Sequence, residues 1–344
     1  MRQRTSIPVF ICVASLQLAS ACVGTGNACL LEATESQTVD AATAATRFRE
    51  LLTDSQWNEA TRPLDDPGRG NWSNLPDGLV FGRIGLRVGN MNAEVCRAAL
   101  DLFSATMPVE KVQQLQAVMR ADDVLASTAG INALGFSSDN YYLTVFGEPT
   151  ANGDWGWQLT GHHFTLNASF SNGLVRRTPD FIGVEPTEYQ LDGQSYAPLE
   201  DEQREGFELA SLLVSSGSLQ SMIIRPEEGL LMGAGRDGAA YPSREGVAAS
   251  DLDEDAATKL WALIEVYLDR LPPTERAQRE EELTADFDEI FFAWGGSLVE
   301  DTQDAYYRIH GPRIWIEFSW EKPVAGGEDV PHFHSVLRNP AGDY

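Results

Sequence analysis

Apolar residues recur every three or four positions through much of the first half of the chain. Ala42, Ala45, Phe48, Leu51 and Leu52 form one stripe, Val95, Ala98, Leu102 and Phe103 a second, and Val109, Val112, Leu115 and Met119 a third. That spacing lines one face of a helix, so three amphipathic helices are predicted. Between the first two, the stretch from Pro63 to Pro76, with Trp72 and three glycines nearby, reads as an extended loop. From Asn140 the period shortens. Tyr141 to Phe146 and Trp157 to Phe170 are rich in aromatic and branched residues at strand spacing, parted by a turn-like segment from Gly147 to Gly156. Helices resume at Leu199 to Ser215 and Leu252 to Leu271. The latter carries a capping pair, Asp251 with Glu254, a stripe of Leu260, Ile264, Tyr267 and Leu271, and a stop at Pro272. A charged segment from Glu275 to Glu289 reads as a solvated helix. Strands then return at Ala305 to His310, at Arg313 to Trp320 across a Gly311-Pro312 turn, and at Pro331 to Arg338. This order predicts an α+β protein, its helical N-terminal half packed on a largely antiparallel β-sheet.

Ahead of these elements, Met1 to Arg4 are basic, an apolar run extends from Ile7 to Leu18, and Ala19-Ser20-Ala21-Cys22 follows. This is the pattern of a secretory signal peptide over residues 1–21, too short and wrongly flanked for a spanning helix. Two cleavage readings stand. Ala19-x-Ala21 suits ordinary signal peptidase, while Leu18 to Cys22 resembles the bacterial lipoprotein box, with its leucine four rather than three places before the cysteine. The second is preferred and makes Cys22 a lipid-anchored terminus. Residues 22–39, mostly small and polar without period, read as a tether, and residues 40–344 as one domain. No later segment approaches the roughly 20 apolar residues of a spanning helix, so any hold on a membrane runs through the lipid.

Export places the remaining cysteines, Cys29 and Cys96, in an oxidising compartment. A disulfide between them is expected; the alternative is two unpaired thiols, with Cys96 a buried helix residue. Charge narrows the partners further. The formal net charge is −26, and loss of Arg2 and Arg4 with the leader takes it to −28. Such a polyanion is repelled by nucleic acid and by anionic headgroups, which leaves a small molecule or an envelope component as the expected partner.

All five histidines fall in three short stretches, His162-His163, His310 and His332-x-His334, each within a predicted strand. Residues two apart on a strand share a face, their backbones about 6 to 7 Å apart, so His332 and His334 can converge on one divalent metal ion such as zinc. Adjacent residues on a strand point oppositely. His163 would share its face with Thr165 and Asn167 and serve as a ligand, whereas His162 would share with Phe164 and Leu166, the weaker ligand and the better core residue. Glu317 is an acid in an otherwise apolar strand and needs a cation, a metal or donors; it is a candidate ligand or general base. The competing account has hydrogen-bonded structural histidines and a plain Arg308–Glu317 ion pair, with no metal. Gly233-x-Gly235-x-x-Gly238 matches a dinucleotide fingerprint, yet Tyr241-Pro242 follows where a helix should open, so it reads as a loop. Zinc-protease, thiol-redox, serine-hydrolase and phosphate-loop signatures are absent.

The stretch from Gly153 to Asn167, with Trp155, Trp157 and the double histidine, resembles the signature of an uncharacterised family, domain of unknown function 3500. Later segments are similar to the same family: Phe292-Ala293-Trp294-Gly295-Gly296, Tyr306 to Pro312 with Ile316-Glu317, and His332-Phe333-His334 through Arg338. The resemblance covers the body from about residue 40. Two positions depart from the family pattern: Pro331 stands where Asn more usually precedes the closing histidines, and Ser319 where an Asp usually follows Glu317. The resemblance implies a fold and a residue pattern and carries little chemistry.

Two functions follow. In the first, His163, His332 and His334 hold a divalent metal, Glu317 takes a proton from bound water, and Arg308 or Arg338 stabilises charge on the substrate; hydrolysis is the default reaction, and copper or iron oxidation uses the same ligand types. In the second, a non-catalytic surface lipoprotein captures a small molecule or an envelope component in an aromatic, Arg-lined cleft, and its histidines are structural.

Overall fold

The computed structural model describes residues 28–30, 40–80, 82–129, 135–218, 229–298, 304–323 and 332–344. The expected signal peptide, Cys22, most of the tether and Pro331 lie outside the described residues. Four helices precede most of the strands. They are α1 (Ala41–Leu51), α2 (Asp54–Ala60), α3 (Ala93–Ser104) and α4 (Val109–Ala129). Each of the first three starts where a side chain satisfies free backbone N–H groups: Asp40 accepts from Thr43, Thr53 and Gln56 form a reciprocal capping box, and Asn92 accepts from Glu94 and Val95. Cys29 and Cys96 are joined by a disulfide, which ties the short turn Ala28–Leu30 to α3 across 67 residues. In the chain-entropy picture such a closure stabilises by about 4 kcal/mol.

The strands are β1 (Thr61–Arg62), β2 (Leu86–Arg87), β3 (Tyr142–Gly147), β4 (Trp155–Thr160), β5 (Phe164–Ser171), β6 (Leu174–Arg176), β7 (Asp180–Val184), β8 (Tyr189–Leu191), β9 (Gln194–Tyr196), β10 (Val247–Ala248), β11 (Phe291–Gly295), β12 (Tyr306–His310), β13 (Trp315–Glu321) and β14 (His332–Arg338). Three more helices, α5 (Glu200–Ser215), α6 (Glu254–Leu268) and α7 (Pro273–Ala285), lie between β9 and β11 in the chain. One mixed sheet runs β1-β3-β4-β5-β7-β14-β13-β12-β11-β10, antiparallel throughout except for β1 on β3, while β8 and β9 form a separate hairpin. The α+β class, with helices ahead of a mostly antiparallel sheet, is as the apolar spacing predicted. Among the described residues no helix is long and apolar enough to cross a membrane.

Three local expectations are corrected. Trp157 to Phe170 is not one strand: Gly161-His162-His163 turns the chain, and the Gly161 N–H reaches the Phe164 carbonyl, closing a β4–β5 hairpin. Helix α6 is capped by Asp253, whose side chain accepts from Ala256, while Asp251 closes a preceding single turn. Helix α7 is not wholly solvated, since it buries Glu275 and Leu283.

Register assigns each strand residue to one of two faces. On one face Leu143, Leu159, Leu166, Ile182, Phe318, Tyr307 and Trp294 follow one another across the strands. Helices cover it: Phe103 of α3 packs on Trp157, and Tyr267 of α6 bonds the Tyr307 hydroxyl. The opposite face carries Thr144, Gln158, Thr160, Thr165, Asn167, His334, Ser319, Glu317 and Arg308, all of them buried. Segments 66–73 and 229–246 and the stretch after β14 cover these, through bonds such as Gln158 to the Arg69 carbonyl and Arg338 to the Met232 carbonyl.

Candidate metal centre

The central strand β7 brings the histidines together. It pairs with β5 on one side and with β14 on the other, and the Gly183 N–H donates to the His163 carbonyl while Gly183 stands opposite His334. Residues 169 apart in sequence thereby touch: Nε2 of His163 lies 3.2 Å from Nε2 of His332. One ring nitrogen from each of His163, His332 and His334 falls within 4.8 Å of the others, so this buried cluster could hold a metal ion. Gly183 makes the approach feasible. A Cβ there would lie 2.6 Å from the His334 ring and 3.1 Å from that of His163.

Carboxylates orient two of the three rings. Asp122 Oδ1 is 2.9 Å from Nδ1 of both His162 and His163, and Glu321 Oε1 is 3.1 Å from Nδ1 of His334. An imidazole whose Nδ1–H faces a carboxylate presents the lone pair of Nε2. His334 Nε2 is buried without a hydrogen-bond partner, as is His332 Nδ1, which stands 3.8 Å from Glu185. Burial pushes His163 down to about 4, reinforced by His162 and opposed by Asp122. Burial, with His334 and His163 nearby, drives His332 well below its ordinary value. Both rings are therefore neutral at neutral pH, the form that binds metals. For Asp122 burial alone would raise the carboxyl, but the His162 and His163 imidazoles outweigh it and hold it below the ordinary range.

His162 does not point away from His163. The hairpin turn brings the two rings together, tilted by 33° with 3.6 Å between centroids, and Asp122, His162 and His163 form a second buried group of metal-ligand type. The opposite-face expectation held only for an extended strand, which this segment is not. His310 stands apart, against Trp315, with Nε2 at the Glu245 backbone.

The structure does not bring Glu317, Arg308 and Arg338 to the histidines. Glu317 lies opposite Val336, the same-face neighbour of His334 along β14, and its oxygens accept from the Leu231 and Met232 N–H groups, the Tyr306 hydroxyl and the Trp315 indole. Arg308 is its register partner, yet donates to Glu245 instead. Arg338 donates to Asp237, Asp343 and the Met232 and Gly233 carbonyls. Sequence reasoning missed Asp122 and Gly183. Asp122 had a signal, because it continues the Val112, Leu115, Met119 stripe of α4 as a charge on the buried face.

Fold and site thus define an α+β protein whose sheet carries buried histidine clusters able to hold a metal. The chain belongs to the family described as "Protein of unknown function (DUF3500)", which matches over residues 34–344. No curated protein and no solved structure matches it.

Proposed function

We propose that this is an exported metal-dependent enzyme, hydrolytic in type, with His163, His332 and His334 as ligands of one divalent transition ion such as zinc. The observation that supports it most is the pair of carboxylate-backed imidazoles, His163 on Asp122 and His334 on Glu321, with His334 Nε2 buried and unpartnered. The donor set fits. Tetrahedral bonds of 2.0–2.1 Å separate ligand nitrogens by about 3.3 Å, and the His163–His332 nitrogens are 3.2 Å apart. Three protein ligands leave a coordination position open, and an ion held there would polarise a substrate oxygen or acidify water. The disulfide suits an oxidising compartment, in keeping with the signal-peptide pattern and with a lipid anchor on Cys22.

One observation favours the second reading, a non-catalytic small-molecule binder. Glu317, Arg308 and Arg338 are each engaged with partners other than the histidines. Elemental analysis of tag-free protein tests the metal: about one equivalent is expected, lost in His332→Ala/His334→Ala. No stoichiometric metal, and no change in the double variant, would sink it. Ester, phosphoester, glycoside and peptide probes then separate the readings, since turnover that a chelator abolishes belongs to the enzyme alone.

A further inference from the structure

Away from the histidines, a cavity of about 510 Å³ opens beside β4, β5 and β6, lined among others by Arg69, Trp155, Ser169, Phe170 and Leu174. We infer that it binds a small organic monocarboxylate, the carboxylate on the Arg69 guanidinium and the apolar body against Phe170 and Leu174.

Arg69 is the reason. It is 7 % exposed, and its Nη2 donates to the Ala168 carbonyl and the Ser169 hydroxyl, but its buried Nε has no partner. The other buried arginines are compensated. Arg270 pairs with Asp180 and Glu202, Arg308 with Glu245, and Arg338 with Asp237 and Asp343. Arg177 feels Asp180 and Glu275. Like Arg177, Arg69 forms no ion pair among the described residues, but unlike Arg177 it has no carboxylate acting on it, in a chain of net charge −26 that has acids to spare. A buried cation without a counter-ion is costly unless something else supplies one.

The guanidinium is also held in place. The rings of Phe146 and Tyr344 lie 4.9 and 4.7 Å from its Cζ. The Arg69 carbonyl accepts from Gln158 and Tyr344. Gly156 leaves its space free, since a Cβ there would come within 2.7 Å of Nη2. Burial lowers Arg69 to about 10, the sign of a cation stripped of water rather than neutralised. The walls set the ligand class. Leu64 and Leu174, 40 % and 58 % exposed, form an apolar rim, and Asp154 beside them disfavours a dianion such as phosphate. Volume and lining suit a molecule of a few ring or chain carbons.

Isothermal titration with benzoate tests this, with benzyl alcohol and inorganic phosphate as controls. Benzoate is expected at a dissociation constant of about 1 mM or tighter, with benzyl alcohol and phosphate at least about tenfold weaker. Arg69→Met should abolish binding without lowering the melting temperature. Leu174→Asp, an exposed rim change that leaves the core intact, should weaken benzoate about tenfold through like charge, which keeps the test decisive if Arg69→Met fails to fold. Leu174 is remote from the histidines, so benzoate held by a metal there would ignore this substitution. Benzoate binding no tighter than benzyl alcohol, equalled by phosphate, or unmoved by Leu174→Asp overturns the inference.

Discussion

On the helix-covered side of the sheet, Leu159, Leu166, Ile182, Ile316 and Phe292 meet α3 to α6 as hydrocarbon, and their exact shapes matter less than their volume. On the other side Thr160 meets Thr165, Gln158 meets Asn167, and Glu317 takes four donors, so each polar group depends on a particular partner. Both sides are buried. The first is stabilised by area removed from water, the second by satisfied hydrogen bonds, and it is in the second that His334 Nε2 and His332 Nδ1 stand out as unsatisfied. Thr144 Oγ1 and Arg308 Nε on the same face are also without a partner, so what sets the histidines apart is the convergence of their ring nitrogens with that of His163 on one point.

The sharpest way to break this contrast is Glu317→Ala, which strands two backbone N–H groups, a phenol and an indole. It should cost about 4 kcal/mol or more in chemical denaturation; a loss below about 1 kcal/mol would mean the polar face is plastic. Next comes pH, which probes the helix side. Burial raises Glu275 to about 7, partly offset by Arg177. Its folded pKa lies above its unfolded value, so its contribution is fully present below about pH 4.5 and is lost as pH rises through 7. Between those limits stability should fall by about 3 kcal/mol, a slope that Glu275→Gln removes.

Asp122→Asn keeps the shape but removes the charge that orients His162 and His163. Metal affinity is expected to drop about 10- to 100-fold by competition with a chelator, and an unchanged affinity would reduce Asp122 to packing. The mildest change is Ile316→Leu on the apolar face, for which about 1 kcal/mol or less is expected in the melting curve. A loss equal to that of Glu317→Ala would erase the difference between the faces.

Much of the apolar face was legible in the chain, because periods of 3.6 and 2 are local properties. The His332-x-His334 pair was legible too, since β14 is a regular strand. What stayed hidden depended on contacts remote in sequence. Asp122 becomes a histidine partner only when α4 lies under the β4–β5 hairpin, and Gly183 becomes the gap between two rings only when β7 enters between β5 and β14. His162 was misplaced for a local reason: a two-strand hairpin and one long strand share the same aromatic composition, and only the turn at Gly161 tells them apart. Glu317 was recognised as an acid needing partners, but two of its four donors, the Leu231 and Met232 N–H groups, come from the 229–246 segment, which has no periodicity to read.

The position of β7 has a kinetic consequence. Two of the three converging imidazoles arrive with β14, late in the chain, and close against a strand laid down some 150 residues earlier. A nascent or truncated polypeptide stopping short of residue 332 would carry the sheet's first half yet no meeting of His163 with His332 and His334, so occupancy of that three-histidine group by an ion would report completion of folding, and stripping it would be felt first where the early and late strands join.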